Sequence, residues 1–129
     1  MATGTLPNQH KMDLVGMANY TSWLTLASGI TLTNTTSAAT LRHVEKNIWY
    51  LYISVQGTFP ANVMTTIGTI NQNFFNAAGT AYIPALAFSG SNTYPATGRM
   101  TAAGVLDVAP GDVACTQVNI QGFFVTREV

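Results

Sequence analysis

The sequence predicts an all-β protein, built as an antiparallel β-barrel or sandwich. Three observations carry that prediction. Ile48–Phe59, read as IWYLYISVQGTF, alternates with a period of two, the spacing that sends successive side chains to opposite faces of a sheet. Short apolar runs are broken by turn residues such as Ser28-Gly29, Pro60 and Pro110-Gly111, the punctuation of sandwiches and barrels. No stretch sustains a helical period, and no repeat of fixed length is visible, which argues against propellers and solenoids.

The chain is organised around Ile48–Phe59. Trp49, Leu51, Ile53 and Val55 share one parity and form a core face. Ile48, Tyr50, Tyr52, Ser54 and Gln56 share the other, which begins apolar or aromatic and ends polar. That face reads either as a subunit contact or ligand-binding surface on the outside of a β-structure, or as one side of a strand covered on both faces.

In chain order, residues 1–20 hold Pro7, two glycines and scattered polar residues without a sustained period, as a linker or neck segment would. From Thr21 the pattern is β. Trp23, Thr25 and Ala27 alternate with Ser22, Leu24 and Leu26 up to the Ser28-Gly29 turn. Ile30 to Thr33 is a short extended piece, and Asn34 to Ser37 a polar loop. Ala38 to Lys46 leads through Leu41 and Val44 to a turn at Asn47. Val63 to Ile70 is extended, and an Asn-rich loop follows from Asn71 to Gly79. Tyr82 to Phe88 alternates again, with Pro84 pointing to an edge strand or a bulge. Ser89 to Gly98 reads as a second polar loop, Met100 to Val108 as two short strands hinged at Gly104, and Val118 to Arg127 as the closing strand.

Composition narrows the function. A chain of 129 residues suits one domain and can bury a core without metals or disulfides. Five Lys and Arg balance five Asp and Glu, and only 8% of residues are charged, against about 25% in a typical domain. A nucleic-acid partner is not expected without a basic excess. The 47% hydrophobic content fits a protein that buries part of its exterior against copies of itself. Cys115 is the sole cysteine, so no intrachain disulfide forms, and it reads as a small buried hydrophobe. No apolar run approaches the ~20 residues of a membrane span, so membrane insertion is not expected.

Catalytic and metal chemistry find little to work with. The acids are Asp13, Glu45, Asp107, Asp112 and Glu128. Asp107 and Asp112 flank a turn, where Asp commonly caps a loop through backbone amides; a paired-carboxylate hydrolase would have to use them. His10, His43 and Cys115 lack metal-ligand spacing, and no cofactor motif is present. Arg42-His43-Val44-Glu45-Lys46 is the densest charge patch; it reads as a solvated strand edge kept from aggregation by its charges, or as a hydrogen-bonding patch for a polar ligand. Tyr50, Tyr52 and Tyr94, with Ser91, Asn92 and Arg99, are the residue types of a saccharide site. A ring covers a sugar's C–H face while hydroxyl, amide and guanidinium groups bind hydroxyls or phosphate.

From Ser22 onward the order of features resembles the head domain of receptor-binding proteins from the baseplates of lactococcal-type siphophages. The resemblance runs through Ser22-Trp23-Leu24-Thr25-Leu26-Ala27-Ser28-Gly29-Ile30, the charged Leu41-Arg42-His43, and the long strand to Gly57. It continues with Ile67-Gly68, Tyr94-Pro95, Gly104-Val105-Leu106 and Val118-Asn119-Ile120-Gln121-Gly122-Phe123-Phe124. It implies an antiparallel β-barrel head over residues 21–129, a homotrimer, preceded by a neck whose end would be residues 1–20. It further implies non-catalytic adhesion to saccharides of the host cell surface, with the amino-terminal side facing neck and baseplate proteins of the virion tail. Related heads use a His-x-Asp pair and a late Arg; this sequence has Thr97-Gly98-Arg99 in the corresponding hairpin and Gln121 nearest the late position. The expected ligand-binding set is therefore His43, Tyr50, Tyr52, Ser91, Asn92, Tyr94, Arg99 and Gln121. The competing expectation is a structural tail-fibre or decoration domain that binds only viral proteins.

Overall fold

The structure, a computed structural model, describes residues 21, 23–34, 37–45, 48–71 and 80–125. The segment 1–20, the turn at Lys46 and Asn47 and most of the Asn-rich loop lie outside these residues. Nine strands follow in order: β1 (Leu24–Leu26), β2 (Thr31–Leu32), β3 (Ala39–Glu45), β4 (Ile48–Phe59), β5 (Thr65–Ile70), β6 (Ala81–Ser89), β7 (Asn92–Met100), β8 (Val105–Pro110) and β9 (Cys115–Val125). Every pairing is antiparallel. The sheet runs β1-β5-β8-β7-β6-β9-β4, and β4's remaining side is shared by β3 along its first half and β2 along its second. The result is an all-β, nearly closed barrel-like sheet.

β4 has the predicted bounds and the predicted core face. Trp49, Leu51, Ile53 and Val55 are buried and meet Leu41 of β3 and Val118, Ile120 and Phe124 of β9 in one apolar interior. Trp23, Phe59, Ile67, Ile70, Ile83, Met100 and Leu106 fill the rest. Burying a Leu, Ile or Phe side chain contributes about 1.5–3 kcal/mol, so this layer dominates the fold's stability.

Two expectations about β6 and β7 are corrected. Ser89 to Gly98 is not a loop: β6 and β7 form a hairpin with register Ser89↔Asn92 through Ala81↔Met100. Gly90, at φ +60°, takes the first central position of the two-residue turn, the geometry of a type II′ hairpin. Polar residues filled this strand because its outward side is not core, and composition alone looked like loop. Nor is β6 an edge strand, since it lies between β7 and β9. Pro84 is tolerated because the β6–β9 register runs only from Ala85↔Ile120 to Phe88↔Gln117, so the missing N–H falls beyond the ladder. Gly122 makes room for the ring: a Cβ there would stand 2.8 Å from Pro84 Cδ.

β9 begins at Cys115, three residues before the expected start at Val118. Asp107 also departs from its expected role. Where loop capping was expected beside the turn, its carboxylate is buried within β8 and meets the side chains of Arg99 and Thr66.

Candidate functional site

The outer surface of the sheet is set by the same alternation that builds the core. On β4, Tyr50 and Tyr52 are half-buried and Gln56 is exposed, while Ser54 is buried. The register places Arg42 of β3 and Phe123 of β9 on either side of Tyr50, and Thr40 and Gln121 on either side of Tyr52. Phe123 is 62% exposed, and β6 adds Tyr82 at 68% to the same face. Large apolar side chains this open to solvent on one face make it the candidate interaction surface.

Two hydrogen-bonded units hold this face. Gln121 Nε2 donates to the Tyr50 hydroxyl at 2.8 Å, and the Tyr50 and Phe123 rings lie 5.4 Å apart in a tilted pair. Arg99 on β7 meets Asp107 on β8, with Nη2 at 2.6 Å and Nε at 3.3 Å from the same carboxylate oxygen. Thr66 donates its hydroxyl to the other oxygen at 2.8 Å. The bond to Asp107 raises the Arg99 pKa, against an opposing effect of desolvation, and Tyr82 adds in the same direction. Arg99 is thus anchored, and not a free cation waiting for an anionic ligand.

No protein-family model matches the chain, and no curated protein matches it. Among solved structures it is similar to the head domain of phage bIL170, described among the receptor-binding domains of lactococcal phages. Identity is 17% and the TM-score 0.59, over 82% of this chain and 94% of that one. The fold is that of a lactococcal phage receptor-binding head.

On this head fold the expected ligand-binding residues divide. Tyr50, Tyr52 and Gln121 come together on the outer face of β4 and β9. Arg99 is on the outward side of β7, opposite Tyr82 in the register. Ser91 and Asn92 are exposed at the β6–β7 turn. Tyr94 turns the other way and packs against the core. His43 lies on the core-facing parity of β3, opposite Trp49, with the two rings 4.9 Å apart edge to face.

Phe123, Tyr82 and Asn119 belong to the outer face, and sequence reasoning did not single them out. Their signal was parity. Phe123 alternates with the buried Phe124, Tyr82 with Ile83, and Asn119 with Ile120. The two acids that a hydrolase would need have other partners, since Asp107 is held by Arg99 and Thr66 and Asp112 accepts from Asn62 Nδ2 at 3.3 Å. Among the described residues, no group of three or more His, Cys, Asp or Glu converges on a metal position.

Proposed function

We propose that the chain is a phage receptor-binding head that recognises a saccharide on the host cell surface without catalysis. The carrying observation is the outer face of β4, β9 and β6, where the rings of Tyr50, Phe123 and Tyr82 stand beside the amide of Gln121 and the hydroxyl of Tyr52. Rings cover the C–H faces of sugars, and a neighbouring amide and phenol supply directed hydrogen bonds. The likeness in fold to the bIL170 head supports the same reading.

The head works as a homotrimer on the virion tail, joined to neck and baseplate proteins through its amino-terminal side. Support for self-association comes from the apolar end of the same sheet, where Ile48 pairs with Val125 and Val44 is exposed nearby on β3. Each site is shallow, so adhesion draws on many copies per particle, a gain of about 10²–10⁴ in avidity without new contacts.

Purified protein tested against host cells and host cell-wall polysaccharide, with its mass in solution recorded alongside, decides the matter. Saturable, strain-selective binding by a trimer is expected. A trimer that binds neither cells nor polysaccharide would instead be a structural tail component.

A further inference from the structure

Register on the outer face carries further than one strand pair. Arg42 stands opposite Tyr50, and Tyr50 opposite Phe123. On the far side of β9, Ile83 lies so near Gly122 that a Cβ there would come 3.0 Å from its Cγ2. β6 runs antiparallel to β9, so the residues one step further along the pair, Tyr82 and Phe123, are neighbours on the outer side. Tyr82 is in turn opposite Arg99, and Arg99 opposite Asp107. Six strands thus contribute to one row that crosses them. Three aromatic rings form its middle, with Arg42 at one end and the Arg99–Asp107 ion pair at the other.

A second row runs beside the first, two residues further along each strand. Tyr52 is opposite Gln121, Pro84 is opposite Thr97, and Gln121 and Pro84 line one shallow groove. This row offers a phenol, an amide and a hydroxyl where the first offers rings. Neighbouring strands stand about 4.8 Å apart, and the Tyr50 and Phe123 ring centroids are 5.4 Å apart. That spacing is close to the length one pyranose ring takes up in a chain.

We propose that the double row is a track for a linear glycan laid across the strands, with three consecutive sugar units over Tyr50, Phe123 and Tyr82. The inference rests on the saccharide-binding reading above and specifies the ligand class, a run of chain and not a lone sugar. The rings take the C–H faces, while Tyr52, Gln121 and Thr97 take hydroxyls along one edge. Between its ends neither row carries a charge, which matches the uncharged rings and hydroxyls of a glycan and not a charged peptide. Arg42 and the Arg99–Asp107 pair stop the aromatic run, and that limits the track to three units.

The test is calorimetric titration of the intact protein with host cell-wall polysaccharide and with fragments of it cut to one, two, three and four sugar units. Wild type, Tyr82→Ala and Phe123→Ala are compared. Both side chains are exposed, so both variants should melt close to the wild type. Wild-type affinity should rise with each unit up to three and then level off. Tyr82→Ala should keep the two-unit affinity and lose the gain from the third, about fivefold or more. Phe123→Ala breaks the row at its middle and should lose the gain from the second unit as well. An affinity that does not rise beyond one unit, or still rises at the fourth, overturns the track and leaves saccharide binding standing. A third-unit gain that survives Tyr82→Ala does the same. A wild type that binds neither polysaccharide nor any fragment overturns both readings.

Discussion

Arg99 and Asp107 face each other across β7 and β8, and the arginine brings Nη2 and Nε to one carboxylate oxygen at 2.6 and 3.3 Å. The carboxylate is buried, whereas the guanidinium side is about a third exposed. The two ends of the pair therefore have different consequences. Arg99→Ala strands a buried carboxylate that keeps its bond from Thr66 but loses its cation, so it should destabilise the fold. Loss of host adsorption in that variant would report unfolding as readily as a lost ligand contact. Arg99→Lys, which keeps the charge but not the fork, should lie between wild type and Ala in chemical denaturation. Thr66→Val should cost about 1 kcal/mol, the ordinary worth of one hydrogen bond.

The Tyr50–Gln121 bond is exposed and should matter little to stability. Tyr50→Phe is expected to change the unfolding free energy by less than about 0.5 kcal/mol. It should nevertheless weaken adsorption to host cells, because the Gln121 amide loses the partner that orients it. Adsorption equal to wild type would show that this amide does not meet the receptor.

Gly98 marks a close approach of β7 to β6. A Cβ at this position would stand 2.6 Å from the Ile83 carbonyl oxygen, a backbone atom with little freedom to retreat. Gly98→Ala should cost about 1–3 kcal/mol through overpacking, read as a lowered denaturation midpoint with an unchanged slope.

Leu51 is fully buried at the middle of β4. Leu51→Ala should cost about 2–5 kcal/mol, a large share of the stability of a domain this size. An exposed counterpart, Gln56→Ala on the same strand, should be close to neutral.

Cys115 is buried opposite Phe59, and burial pushes its thiol pKa up while backbone hydrogen bonds from Gln117 and Phe88 pull the other way. A thiol whose pKa is raised in the folded state stabilises the fold fully below the unfolded pKa and loses that contribution as pH climbs through the folded one. Melting temperature should therefore fall as pH rises past the ordinary thiol range, and Cys115→Ala should flatten that dependence. Thiol reagents at neutral pH should label the native protein slowly and the denatured protein at once.

Much of the fold was legible because a period of two survives in single strands. Ile48–Phe59 announced its core face outright, and the turn at Gly104, with φ +83°, was marked by its glycine. β7 was not legible: Asn92, Thr93, Pro95 and Thr97 read as loop because their strand presents an outward side that needs no apolar residue. Pro84 misled for a related reason. A proline excludes a ladder bond, and the sequence does not say that the neighbouring ladder stops one residue away.

By itself the sequence determined that the protein is all-β, which strand lies at its centre, and which side of that strand is core, since these follow from local alternation and turn chemistry. Only the tertiary structure decided which side chains share the outer face, because that depends on register between strands far apart in the chain. Tyr50 meets Gln121 across 71 positions, while Tyr94, alike in composition, is turned into the core by the parity of β7. Arg99 looked like a ligand group until β8 placed a carboxylate beside it.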